Sequence, residues 1–241
     1  GMLTSRAPSI DHLFSDGPHL GTYSYEIGEP NLKTENTLGF ESSMEYVAGK
    51  SDIRFTLYHN YSPNYHISTA MGNNYVTGAD WTEWGSGSAG WLYKYKMKGL
   101  EARIYGFESE IDYELSKYIK FFTSISITRG ENLSDNIPLS YMPPDKIILS
   151  SEINLKPLTL DLIYKQALKQ SRLGEFETPT NGYRIVDLNT SFSKNTDKLM
   201  HKFILGIENI FNRQYYNHLS RIKLVMPEKG RSINLQYRLV F

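Results

Sequence analysis

The chain has 241 residues, enough for one large domain or two small ones, and its 26 Lys plus Arg balance 26 Asp plus Glu. That balance leaves no global field to attract nucleic acid or an acidic surface, and the absence of cysteine removes disulfides, thiolate chemistry and cysteine–zinc sites. Mean hydropathy is negative and no apolar run approaches the ~18 residues a spanning helix needs, while Tyr (18) and Phe (11) are abundant, so strands are the expected elements.

Residues 1–34 show no clean periodicity and read as a loop segment broken by Pro8, Gly17, Pro18, Gly21, Gly28 and Pro30. Gly1-Met2 reads as a vector-derived start, so the native protein is expected to continue upstream. Alternation begins at Glu35, with Leu38, Phe40, Met44 and Tyr46 on one face and Gly39, Glu41, Ser43 and Glu45 on the other. After a turn at 48–51, Ile53, Phe55 and Leu57 continue it, which predicts a hairpin.

A connection from about Tyr61 to Lys98 is expected to be a long functional loop, with Trp81, Trp84 and Trp91 in it. Its Gly85–Gly90 run reads as a native flexible stretch, an engineered join being the alternative. Two strands follow over 100–113 and 117–128, then a proline-containing loop. Ile147 to Leu155 and Leu158 to Tyr164 form the next pair. A loop over 168–181 leads to strands over 183–193 and 203–207, and a loop over 213–229 leads to the last strand. In that strand Ile233, Leu235, Tyr237, Leu239 and Phe241 share one face, opposite Ser232, Asn234, Gln236 and Arg238.

Connections alternate short and long, with tight turns near 49, 115, 156 and 196. Strands of about ten residues suit a tilted crossing of a bilayer better than a soluble sandwich. The expected fold is therefore all-β, an antiparallel transmembrane β-barrel segment of about nine strands over 35–241, with 1–34 as an external loop segment. Phe40, Phe55, Leu57, Ile125, Leu149, Leu160, Leu188, Leu205, Leu235 and Phe241 should face lipid. Glu41, Glu45, Glu108, Glu110, Glu152, Glu208, Lys202 and Arg238 should face the lumen. Nine antiparallel strands cannot close with antiparallel pairing at the seam, and open edges in lipid are costly, so the segment is expected to belong to a larger barrel.

Several motifs occur in a telling order: Gly28-Glu29-Pro30-Asn31-Leu32 before Glu35 and Gly39, Gly106-Phe107-Glu108, Thr180-Asn181-Gly182-Tyr183 before Asp187-Leu188, Asn209-Ile210-Phe211-Asn212 with Tyr215, and Gly230-Arg231 before a terminal Phe241. Together they resemble the C-terminal part of the barrel of a TonB-dependent outer-membrane receptor, from about Arg6 to Phe241. The resemblance implies a 22-stranded, plugged barrel in the bacterial outer membrane. It further implies import of a scarce ligand (a metal ion, ferric siderophore, haem or cobalamin), driven through the TonB complex by N-terminal parts outside this chain. Phe241 resembles the terminal signature read by the barrel-assembly machinery. No cofactor and no catalytic residue is expected.

Candidate ligand contacts follow. Gly17-Pro18-His19-Leu20-Gly21-Thr22 with Tyr25-Glu26-Ile27-Gly28 resembles an external-loop segment of receptors that include the zinc-uptake subgroup. That makes His19 a candidate metal ligand and Glu26 a ligand contact, a structural loop role being the plain alternative. His59 and His66 could touch a haem or metal cargo, or sit in the headgroup girdle. Trp81 and Trp84 could stack on a planar ligand, or pack the loop on the rim. His12, His201 and His218 have no partners at recognisable spacing. Two rival readings are a small outer-membrane barrel enzyme, which needs a histidine–acid constellation at one rim, and a soluble ligand-binding β-sandwich, which needs the apolar face covered.

Overall fold

The computed structural model describes residues 1–72, 81–83, 91–196 and 198–241, with the side chains of Trp81, Glu83 and Trp91 left aside. The main strands are β1 (Met2–Arg6), β4 (Glu35–Ala48), β5 (Ser51–Ala70), β7 (Trp91–Ser116), β8 (Ile119–Asn132), β10 (Lys146–Leu155), β11 (Leu158–Ala167), β12 (Tyr183–Asn195), β13 (Met200–Glu208) and β14 (Ser232–Val240). They pair in that order, each antiparallel to the next, in one sheet whose ends β1 and β14 do not meet. Smaller elements decorate the end that carries the long connections. They are helix α1 (Ile10–Phe14), the hairpin β2 (Asp16–His19) and β3 (Ser24–Ile27), β6 (Trp81–Glu83) and β9 (Ile137–Pro138). The β3 strand runs parallel to the start of β7.

The two faces follow from the register. Leu57 pairs with Phe107, Phe107 with Ile127, Ile125 with Ile147, Leu162 with Leu188, Phe203 with Tyr237 and Leu205 with Leu235. Because paired residues point the same way, one apolar face runs unbroken from β4 to β14. Its side chains stay open: Leu57 is 56% and Leu235 75% accessible. No second sheet among the described residues covers this face, which removes the sandwich reading. The opposite face carries Glu45 and Arg54 (3.0 Å), Arg54 and Glu110 (3.5 Å), and Lys120 and Glu114 (2.5 Å). The small buried cluster of Ile67, Leu100, Ala102 and Leu139 lies under the loops. Gly49, at φ +58°, turns β4 into β5 in a conformation that costs glycine no Cβ clash.

The register also fixes the tilt. A row starting at Ala48, beside the first tight turn, passes through Ser51, Tyr113, Phe121, Ser151, Leu162, Leu188 and Ile207 to Ile233. Ala48 is at its turn, but Ile233 is eight residues from Phe241. The row thus climbs one residue per strand over eight strand-to-strand steps. At ~3.3 Å per residue and ~4.8 Å between strands, turns lying in one plane require a tilt of ~35°. Barrels close at ~35–45°.

Three expectations need correction. Residues 2–6, read as loop, form β1, because Met2 to Arg6 pair with Gly39 to Glu35 over a stretch too short to show a period. The connection expected over 61–98 is largely strand, since β5 runs on to Ala70 and β7 begins at Trp91. A bulge between Ser62 and Tyr65 holds Pro63 where no ladder donor is needed, and its register shift breaks the alternation that a sequence reading follows. The wall therefore has ten strands rather than nine, and the argument from an odd count does not hold. The Gly85–Gly90 run lies outside the described residues.

Candidate functional site

Beyond the loop end of the wall lies a recess with about 90 Å³ of free volume, open to solvent. Tyr93 and Tyr95 of β7 form one wall, Ser140 and Tyr141 a second, Glu175 to Thr178 a third, and Ser220 to Val225 a fourth. Four separate stretches of chain thus meet around it. Loop ends can converge this way only because the strands beneath them are already fixed by the ladder.

A buried polar network holds these loops together. The Lys223 Nζ donates to Thr178 O (2.8 Å), Thr180 Oγ1 (3.0 Å) and His218 Nδ1 (3.2 Å), which uses its three donors. Accepting at Nδ1 leaves His218 to carry a proton at Nε2, which lies 3.2 Å from Glu177 Oε1 but poorly aligned for a hydrogen bond. Glu177 in turn accepts from the backbone N–H of Tyr141 (2.8 Å) and of Gly174 (2.9 Å). Lys223 and Glu177 are thus bridged by an imidazole whose side chain is wholly inaccessible. Burial lowers the Lys223 ammonium from its usual range, with Glu177 partly offsetting it. For Glu177, burial pushes upward, but His218 and the two backbone N–H groups outweigh it and hold the carboxyl below its usual value. Burial also drives the Tyr141 phenol well above the ordinary tyrosine range, so it remains a neutral hydroxyl.

Arg221 supplies the accessible charge. Its guanidinium lies over the rings of Tyr95 (5.1 Å) and Tyr141 (5.6 Å) and donates to Glu26 Oε1 (2.9 Å). Glu26 also accepts from Ser24 Oγ (3.2 Å); Ser24 Oγ lies 2.7 Å from Thr22 Oγ1, and Thr22 Oγ1 lies 2.6 Å from His19 Nδ1. The two residues that the sequence singled out in this loop, His19 and Glu26, are thus joined through two hydroxyls. Glu26 reaches the recess through Arg221, and His19 stands exposed at the far end of the chain.

The other candidates lie elsewhere. His59 is on the outward apolar face, stacked on Tyr105 with ring centres 6.3 Å apart. His66 is buried in the wall, with Nε2 2.6 Å from Lys33 O and its backbone N–H donating to Glu35 (2.8 Å). Its ring meets His12 edge-on at 5.8 Å. Trp81 is placed by its backbone, paired with Tyr93, and Trp84 lies outside the described residues. Among the described residues, no three His, Asp or Glu side chains are grouped as a metal site. The sequence reading missed Tyr95, Tyr141, Glu177, His218, Arg221 and Lys223. Apart from the Lys223–His218 and Glu177–Gly174 contacts, their partners are 36 to 195 residues away, where no local spacing could have shown them.

Residues 4–210 match the profile of a family described as TonB dependent receptor-like, beta-barrel. The fold is similar to that of the copper transporter OprC, with a TM-score of 0.73 and 20% identity over 96% of this chain and 35% of that one. It is also similar to a ferric enterobactin receptor from Pseudomonas aeruginosa in complex with enterobactin (TM-score 0.66, 18% identity, 98% of this chain and 37% of that one). The FrpB iron transporter from Neisseria meningitidis matches with a TM-score of 0.60 and 14% identity over 88% of this chain and 32% of that one. The chain spans about a third of the length of these solved structures.

Proposed function

Because the chain belongs to the TonB-dependent receptor β-barrel family and forms part of an outer-membrane barrel, we propose that it supplies wall and external loops to a receptor that imports a scarce ligand. The TonB complex would act through N-terminal parts outside this chain, and the role is transport rather than catalysis. The observation that carries this reading is the recess itself: a solvent-open space at the loop end, with three tyrosine rings, an accessible guanidinium and the apolar Leu224 and Val225. Rings, a cation and an apolar patch suit an organic chelate with aromatic or anionic groups better than a bare metal ion. Tyr93, Tyr95, Tyr141 and Arg221 are the proposed contacts, with Glu26 holding Arg221 in place.

A metal-ion cargo is the second reading, favoured by the exposed His19 ring and the hydroxyl chain behind it. Calorimetric titration of the full-length receptor in detergent with zinc, ferric siderophores, haem and cobalamin tests both. The proposal expects binding of an organic chelate or cofactor that falls at least tenfold in Arg221→Gln and is indifferent to His19→Ala. Zinc binding abolished by His19→Ala, with no organic ligand bound, would overturn it in favour of the metal reading.

A further inference from the structure

Two histidine rings meet where the N-terminal segment lies on the wall. The side chain of His66, in β5, is wholly inaccessible, and its ring meets that of His12, in helix α1, edge-on at 5.8 Å. The His66 Nε2 lies 2.6 Å from the Lys33 carbonyl oxygen, which can only accept, so the one proton of the neutral ring sits on Nε2. Its Nδ1 is therefore a bare lone pair, buried without a hydrogen-bond partner, and His12 Nδ1 is buried and unpartnered too. With the ~35° tilt each residue rises about 2.7 Å, so His66 stands about 35–40 Å above the turn at Ser51, beyond the ~25 Å apolar band and within reach of aqueous protons.

The charges around the pair limit how many protons it can take. Glu35 of β4 faces it, with Oε2 3.8 Å from His66 Nδ1, but that oxygen already accepts from Arg6 of β1 (2.7 Å) and from the His66 backbone N–H (2.8 Å). Asp11, beside His12 on α1, is exposed, and the Glu29 carboxylate is turned to Lys96 (3.0 Å). Tyr65 of β5, also near Glu35, stays neutral because burial raises its phenol. Burial first, then Arg6 and His66, lower the His12 imidazole from its usual range, and Asp11 and Glu35 offset only part of this. Glu35 can answer one added proton. A second would stand beside Arg6 in a space closed to water, whereas two rings released into solvent take up two.

The pair seats more than α1. Glu29 N–H donates to His12 O (2.9 Å) and Gly28 N–H to Ser15 O (2.7 Å). A Cβ at position 28 would lie 2.6 Å from the Leu13 carbonyl oxygen, so α1 and this stretch touch backbone to backbone. Gly28 directly follows β3, whose Glu26 accepts from Arg221 at 2.9 Å.

We propose that His12 and His66 form a proton-operated latch: neutral, they seat α1 on the wall, and in mild acid they release it together with β3, freeing Arg221 from Glu26. The docked pair binds fewer protons than the released one, so docking is strongest above 6.5 and weakens as pH falls below it.

Hydrogen exchange on the full-length receptor, corrected for intrinsic rate, tests this at the Gly28 and Glu29 amides. A helix of five residues does not persist off the wall, so both amides open when the latch does. Between about pH 7.5 and 5.5 their opening should rise about five- to tenfold, as one withheld proton predicts, while the Leu139 amide, bonded to Gly130 O in a separate loop, should not change. His12→Phe, which keeps a ring and removes the charge, should flatten the response. So should His66→Gln, whose amide can still donate to Lys33 O. No rise in the wild type, an equal rise at Leu139, or the same rise in both variants would overturn the proposal. Should both variants open already at neutral pH, the NMR titration of the wild-type His12 ring decides: a midpoint below 6.5 supports the latch, and one at 6.5 or above overturns it.

Discussion

Placing Arg at Leu205 tests the orientation and the tilt together. Leu205 of β13 pairs with Leu235 on one side and Thr190 on the other, and stands five residues from Met200 at the tight-turn end. At about 2.7 Å of rise per residue, its Cα is ~14 Å above the turn plane, near the middle of a ~25 Å apolar band. Leu205→Arg should therefore cost ~2–4 kcal/mol, or about 30- to 1000-fold in the folding equilibrium. One residue earlier, Ile204 faces the lumen between Ser191 and Gln236, so Ile204→Arg should cost under about 1 kcal/mol. The assay is denaturant unfolding of the full-length receptor in lipid vesicles, compared at unchanged slope. Equal costs at the two positions, or a larger one at Ile204, would show that the faces or the height are wrong.

Glu177 gives the pH dependence. Its carboxyl titrates lower in the folded loops than the ordinary 4.5, so its contribution is full above 4.5 and is lost as pH falls through the lowered value. Lys223 acts at the alkaline end: its ammonium is disfavoured in the folded loops, so loop stability rises as pH climbs through its lowered value toward 10.5. Hydrogen exchange at the Tyr141 and Gly174 amides, corrected for intrinsic rate, should show protection falling in acid, and Glu177→Gln should lose about 1.5–3 kcal/mol of it already at neutral pH. A Cβ at position 106 would lie 2.3 Å from Tyr58 Oη and 2.5 Å from Ile127 O, so Gly106→Ala should cost about 1–3 kcal/mol in the same vesicle unfolding assay. Phe241→Ser should lower the amount of receptor assembled in the outer membrane of cells while changing vesicle stability by under about 1 kcal/mol, because Phe241 is 98% accessible and lies beyond the last ladder pair. Equal losses in both measurements would assign it a packing role instead.

The wall was legible because its signal is local. Alternation over a few residues already separated Leu205 from Ile204, and the register later joined those faces without a change of phase. What failed was whatever local period cannot carry. The bulge at Ser62–Tyr65 shifts the phase and made a strand look like a loop, and β1 is recognisable only through its partner Glu35–Gly39. The recess was illegible for a related reason. Arg221 meets Glu26 across 195 residues, and His218 gains its role from Lys223, Thr180 and Glu177, contacts that exist only after the strands have placed the loops. His19 and Glu26 were found by motif likeness; the two hydroxyls linking them are a property of the folded loop.

Register, rather than strand parity, decides whether this sheet can stand alone. Ten strands could in principle close, since β1 and β14 run in opposite directions. Yet β1 covers only Met2 to Arg6 and pairs with β4 at its loop end, opposite Glu35 to Gly39. Below that point β4 from Phe40 to Ala48 has no neighbour on its outer side among the described residues, and neither has β14 along its length. Both bare stretches coincide with outward residues of the apolar band, including Phe40, Met44, Leu235 and Tyr237. Unpaired backbone groups in hydrocarbon cost several kcal/mol each, more than any contact within the sheet returns. The membrane form must therefore carry further strands along both edges. A climb of one residue per strand allows them to be added at constant tilt until the barrel closes.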